Sequence, residues 1–357
     1  MTSKLKLLLA SSVVSLTLVG TMPAFAAGTA QGTSVLNNVS VDYQVGGVAQ
    51  TQKTASDTFV VDRKIIFTVA EAATTGTTTV TPGQTAQVTR FQVTNTSNDT
   101  LDFSLAASQL AGGTAAHGGT DAFDVTSLQY FVDANSDGVY TSGTDTATTV
   151  DNLAADQSRY VFIIGAIPLS ATNGQVAGVT LTGTALNSNG TAITAATDAT
   201  ANGAGTVETI FADAVKSGAG GASAARDGID VATDDYTIAS AVLSVFKSSR
   251  IVSDGVSASN PKAIPGAVVE YCISVANAAG GATATNINIS DIVPALTTYV
   301  ASSILIDATV TSPGVSQTCS AGTSGGTYTA GTTTVSGTLA NIAGGSASAL
   351  IFRATVN

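Results

Sequence analysis

The feature that most constrains this chain is a period of two. Apolar and polar residues alternate in short runs, most cleanly in Val39-Ser40-Val41-Asp42-Tyr43-Gln44-Val45. Successive side chains of a strand point to opposite faces, so such a run presents one apolar face and one wet face. Gly46-Gly47 directly after it reads as a hairpin turn. The same pattern predicts strands over 59–69, 86–95, 101–106, 127–132, 158–166, 178–185, 239–246, 268–276, 285–292, 299–306, 333–339 and 348–356. Gly, Asn, Asp and Ser fill the gaps, and no helical repeat separates the runs. Parallel strands need long, usually helical crossovers, so the chain reads as all-β, built of antiparallel β-sandwiches.

Residues 1–26 have the form of a signal peptide. Lys4 and Lys6 give the positive start, Leu7 to Gly20 the apolar stretch, and Ala24-Phe25-Ala26 the cleavage site. The apolar stretch is short for a span of about 20 residues, and no second one of spanning length follows. The mature chain is therefore expected to be secreted, extracellular and associated with the cell surface, with no membrane insertion. The whole chain has 13 Lys+Arg against 24 Asp+Glu, and the leader takes away two lysines and no acid. This balance, with no basic stripe, excludes nucleic acid and anionic membrane surfaces as partners. With 44% hydrophobic and 10% charged residues, the chain is not of the disordered class.

An internal repeat sets the domain organisation. Pro82-Gly83 opens a run that ends in Val93-Thr94-Asn95, and Pro265-Gly266 opens another that ends in Val275-Ala276-Asn277. Pro and Gly set a turn, and Asn can hydrogen-bond backbone where the chain leaves the sheet. The two copies imply two domains. The expected division is 27–58 as an N-terminal hairpin or strand segment, 59–240 as the first sandwich and 241–357 as the second. The Gly- and Ala-rich residues 187–225 read as long loops or an insertion, with no strand assigned.

The second copy has a wider pattern: Lys247, Asn260-Pro261-Lys262-Ala263-Ile264-Pro265-Gly266-Ala267-Val268-Val269-Glu270-Tyr271, Ala276-Asn277, Asn286-Ile287, Asp291-Ile292-Val293-Pro294 and the run from Leu339 to Val356. This resembles the bacterial and archaeal surface repeat known as domain of unknown function eleven. The first domain matches it only at Pro82-Gly83 and Asn95. The resemblance implies Ig-like antiparallel β-sandwich domains in tandem, in exported surface proteins with a structural or adhesive role and no catalytic residues.

The strongest candidate site is Asp133-Ala134-Asn135-Ser136-Asp137-Gly138-Val139, with Asp145 further on. Oxygen side chains at alternate positions, a glycine for the sharp turn and the Val139 carbonyl form a cage for Ca2+ as a structural ion, of about 10⁻⁴–10⁻³ M affinity. Thr144 stands where a bidentate Glu is expected, and Asp145 is the nearest substitute. Strands are expected on both flanks, at 128–132 and 146–150, so a helix–loop–helix sensor is excluded. The other reading is a hairpin loop whose Asp and Asn side chains cap turns. Asp227, Asp230, Asp234 and Asp235, with Asp213, read as a solvated acidic turn or a linker cation site.

Cys272 and Cys319 are the two cysteines. An exported chain meets an oxidising compartment, where they are expected to form a disulfide, the alternative being two buried free thiols. Catalysis fails on inventory, with a single His, His117, and no Trp. Gly322-Thr323-Ser324-Gly325-Gly326 fits a nucleophile string, but the His lies before it rather than after. His117 reads as an exposed loop residue, and the chain as not an enzyme.

These readings point to an exported structural surface or matrix protein, with copies of itself or other surface proteins as partners. Val39, Val41, Tyr43 and Val45 form a candidate assembly strand that either adds to a neighbouring subunit or pairs within its own chain. The rival class is a ligand- or glycan-binding module, for which Tyr130, Tyr140 and Tyr160 are the aromatic candidates.

Overall fold

The computed structural model describes residues 28–72, 76–197, 201–203, 205–217, 221–314 and 316–357, so the leader at 1–26 lies outside them. Among the described residues every regular element is a strand, and no helix is long and apolar enough to cross a membrane. Two sandwiches of Ig-like architecture follow one another.

In the first sandwich, one sheet runs in the order Thr126–Val132, Ser158–Ala166, Gln87–Asn95, Phe67–Glu71, all antiparallel. The facing sheet runs Thr149–Leu153, Leu101–Gln109, Val176–Asn187, Ile229–Ile238, Thr78–Val80, the last pair parallel. Alternation decides which side chains meet. Phe91, Val93, Val161 and Ile163 from one sheet pack on Phe103, Val179, Leu181 and Tyr236 from the other. Phe67 and Phe103 touch across the gap, with ring centroids 4.8 Å apart. Each such side chain stabilises the fold by about 1.5–3 kcal/mol through burial.

The second sandwich has a large sheet in the order Leu243–Ser253, Val268–Asn277, Ala347–Val356, Leu305–Thr311, Thr318–Ser320. It faces a small one of Ile287–Ile292, Thr334–Leu339 and Thr327–Thr329. Ile273, Val275, Leu350 and Phe352 meet Ile289, Val335 and Leu339 in its core. The opposite face of the large sheet carries Cys272, Ala349 and Ile351, packed with Ala308 and Cys319. Cys272 and Cys319 are disulfide-bonded, with Cα atoms 5.9 Å apart, inside the usual range. Gln317 fixes the same arm. Its Nε2 donates to the carbonyls of Phe246 (3.1 Å) and Cys272 (3.2 Å), and its Oε1 accepts from the Ser274 hydroxyl.

The Pro-Gly to Asn repeat has a shared structural meaning. Asn95 is fully buried; its Nδ2 donates to the carbonyls of Asp99 (2.8 Å) and Leu153 (2.8 Å), and its Oδ1 accepts from Ser97 N (3.0 Å). Asn277, equally buried, donates to Ala282 O (2.7 Å) and Ile342 O (3.0 Å) and accepts from Val242 N (3.0 Å). Each amide thus satisfies backbone groups at the place where its strand ends, groups that would otherwise be orphaned inside the protein.

The N-terminal segment is a hairpin. Ser34–Val41 pairs with Lys53–Val60 along its whole length, and among the described residues no third strand joins the pair. Gln44–Val45 and Val48–Ala49 form a smaller hairpin around Gly46-Gly47, whose φ values of 59° and 81° need glycine's freedom. Asn98 ties the hairpin base to the sandwich: its Nδ2 donates to Thr29 O and Asp62 O, and its Oδ1 accepts from Lys64 N.

Several sequence expectations are corrected. The run from Val39 to Val45 breaks after Val41, and 59–69 is three strands, the end of Lys53–Val60, then Arg63–Ile65 and Phe67–Glu71. The strand expected at 299–306 is two, Thr297–Tyr299 and Leu305–Thr311, split by a turn in which the Ser303 hydroxyl donates to Val300 O. The strand expected at 239–246 lies at Leu243–Ser253, and that at 146–150 at Thr149–Leu153. Within 187–225, Thr209–Phe211 pairs in parallel with Arg63–Ile65. The acidic stretch around 230–235 is not a solvated turn; it lies in the buried strand Ile229–Ile238.

Candidate functional site

The Asp133–Asp145 loop leaves Thr126–Val132 on the outer side of the four-stranded sheet. Asp133 is fully buried; its Oδ1 accepts from Ser136 N (2.7 Å) and its Oδ2 from Gly138 N (2.8 Å). Asp145, nearly as buried, accepts from Ala134 N (2.9 Å) and Thr141 N (2.7 Å), so it clamps the loop's two ends. Asp137 Oδ1 accepts from Val139 N, and its Oδ2 from Asn135 Nδ2 at 2.8 Å. Two arginines back the loop: Arg90 Nη1 donates to Gly138 O (2.9 Å), and Arg159 to the Ser136 hydroxyl. Tyr140 folds back over the sheet against Phe131 and Phe162, at centroid distances of 5.9 and 6.0 Å. The loop's carboxylates thus cap its own amides. Each of these oxygens keeps a second lone pair, and the donor set is all oxygen, as calcium prefers.

The aromatic candidates are put to structural use. The Tyr130 hydroxyl donates to Leu105 O at 2.8 Å, and Arg90 stacks on the Tyr160 ring at 4.9 Å. Tyr140 and Arg90 also line an open groove of about 600 Å³ with Thr77, Thr79 and Val139.

A second constellation is one the sequence hides. In Ile229–Ile238 the inward side chains are Asp230, Ala232, Asp234, Tyr236 and Ile238, and this strand runs beside Phe67–Glu71 where the two sheets meet. At one end of this seam Asp230 Oδ2 accepts from Val69 N (2.6 Å), and Lys216 Nζ lies 3.0 Å from Asp230 Oδ1 and donates to Val69 O (2.8 Å). Four residues on, Asp234 and Asp235 are fully buried beside His117. His117 Nε2 lies 3.0 Å from Glu71 Oε2, and Nδ1 lies 3.4 Å from Asp235 Oδ2 and 3.7 Å from Asp234 Oδ1. The main-chain N–H of His117 donates to Asp235 Oδ2 at 2.7 Å. His117 is an exposed turn residue, as the sequence suggests, and its ring lies against three carboxyl groups.

Burial raises the Asp234 carboxyl to about 7, with the charges of Glu71 and Asp235 adding to the rise; the Asp235 amide and His117 oppose it. Asp234 Oδ2 and Asp235 Oδ1 are buried without a hydrogen-bond partner. Asp213 and Asp227 play turn-capping parts nearby: Asp213 accepts from Asp227 N and Gly228 N, and Asp227 from Ile229 N.

No family model matches the chain, and no curated protein matches it. Among solved structures, one titled BspA_C_WT aligns at 10% identity over 81% of this chain and 90% of its own, with a TM-score of 0.29. The collagen adhesin of S. aureus aligns at 10% identity over 83% and 84%, with a TM-score of 0.22. A putative membrane anchored protein from Corynebacterium diphtheriae aligns at 9% identity over 91% and 89%, with a TM-score of 0.20. Likenesses of this size carry no argument about function.

Proposed function

We propose that this chain is an exported structural protein of the cell surface, whose rigid β-sandwiches are joined to further copies through the N-terminal hairpin. The observation that carries this reading is the unpartnered pair Ser34–Val41 and Lys53–Val60. A two-stranded hairpin is marginal alone, yet this one holds Val39, Val41 and Phe59 on one face, each more than half exposed. Both outer edges are also free, among the described residues, to pair with another strand. Such edges are templates for strand addition, and a second copy of the same hairpin offers the matching alternation. Calcium held by Asp133, Asn135, Asp137, the Val139 carbonyl and Asp145 stiffens the loop on the four-stranded sheet in the same reading. The lack of Trp and the single His support a structural rather than a catalytic role.

The test is sedimentation and negative-stain microscopy of the chain without its leader. The wild-type chain is expected to form oligomers or filaments, and Val39→Asp with Phe59→Asp to leave monomers whose sandwiches melt unchanged. Monomeric wild-type protein at high concentration sinks the assembly reading.

A further inference from the structure

We propose that Glu71, His117 and Asp234 bind one divalent transition-metal ion of the zinc class, which staples the two sheets of the first sandwich at their seam. One ligand atom from each of the three lies within 4.8 Å of the others. The set mixes an imidazole nitrogen with carboxylate oxygens. Zinc takes such a set readily, whereas calcium and magnesium favour oxygen alone.

Two further observations point to a cation. Buried carboxylate oxygens are normally hydrogen-bonded, yet Asp234 Oδ2 and Asp235 Oδ1 are not. Among the described residues, His117 is also the only nitrogen-bearing basic side chain within ion-pair distance of Glu71, Asp234 and Asp235. Three carboxyl groups thus share one imidazole. Elsewhere along the seam the chain supplies its own cation, since Lys216 bridges Asp230 and the Val69 carbonyl. At Asp234 it supplies ligands instead.

Asp235 completes the arrangement as a positioning residue. Its carboxylate holds the His117 main chain and lies 3.4 Å from Nδ1, which fixes the ring between Glu71 at Nε2 and Asp234 at Nδ1. A carboxylate behind a metal-bound imidazole is a common device for fixing the ring. Glu71 belongs to the four-stranded sheet, Asp234 to the five-stranded one, and His117 to the connection between Leu101–Gln109 and Thr126–Val132. One ion therefore links three segments distant in sequence.

The experiment uses the chain without its leader, stripped of metal, titrated with zinc chloride by calorimetry and with cobalt chloride by visible absorption. One ion per chain is expected, with cobalt d–d bands and a higher melting temperature. His117→Gln and Asp234→Asn should each weaken binding by more than about ten-fold, the lower end of the cost of losing even an outer partner. Asp234→Asn removes a buried charge and should melt no lower than the metal-free wild type, so lost binding cannot be put down to unfolding. Asp151→Asn, at an exposed carboxylate of Thr149–Leu153, should bind as the wild type does. Absence of saturable zinc binding, unchanged binding in His117→Gln, or loss of binding in Asp151→Asn overturns the proposal.

Discussion

The two buried asparagines allow a quantitative test of the internal repeat. Asn277→Ala removes three hydrogen bonds, two donated to Ala282 O and Ile342 O and one accepted from Val242 N. At about 1 kcal/mol net for each bond, the loss is about 3 kcal/mol. It rises toward about 5 kcal/mol if the carbonyls left behind stay dry, because each orphaned buried group costs about 1–3 kcal/mol. Asn95→Ala removes the equivalent set around Ser97, Asp99 and Leu153, so the same loss of about 3 kcal/mol is expected in the first sandwich. For domains of these sizes the shift in melting temperature is on the order of 10 °C. Calorimetry or urea unfolding of each single variant gives the numbers, and each substitution should move the transition of its own sandwich. Either variant losing less than about 1 kcal/mol would refute the claim that the amide closes off backbone at the strand exit. A large loss in one sandwich and none in the other would refute the equivalence of the two copies.

Removal of the disulfide by Cys272→Ser with Cys319→Ser should cost the second sandwich about 4 kcal/mol in the chain-entropy model. A thiol assay on unfolded, unreduced protein should find none, and two free thiols would contradict the bridge. Calcium at ten times its dissociation constant should stabilise the first sandwich by about 1.4 kcal/mol, and Asp137→Ala should abolish that gain. Identical melting of the wild type in 10-fold excess calcium and in chelator would leave the loop as a turn capped by its own carboxylates.

Much of the fold was legible because its signals are local. Val39 to Val41, Phe91 with Val93 and Leu350 with Phe352 declare their faces within a few residues, and Pro82-Gly83 and Pro265-Gly266 mark where strands begin. Asn95 and Asn277 could be singled out by position, although only the structure shows which carbonyls they hold. The seam was opaque for the opposite reason. Ala232, Asp234 and Tyr236 share a face, but four aspartates in nine positions imitate a solvated turn. Nothing near Asp234 in sequence announces Glu71 or His117, which reach it from other strands and loops. The available signal was the alternation of Val231, Thr233 and Asp235 against Ala232, Asp234 and Tyr236, outweighed by charge. The Asp133 loop was legible as a loop with oxygen donors, while the backing by Arg90 and Arg159 depends on which strand lies beneath it.

The covalent link between Cys272 and Cys319 also governs how the chain responds to force. Pulled from its ends, the chain unravels strand by strand, but the segment closed by the bridge, whose cysteines are 47 positions apart in sequence, stays outside the load path. At about 3.4 Å per extended residue, roughly 160 Å of slack is withheld. The second sandwich thereby stays shorter under load even after its sheets have opened, and reduction would let it extend further.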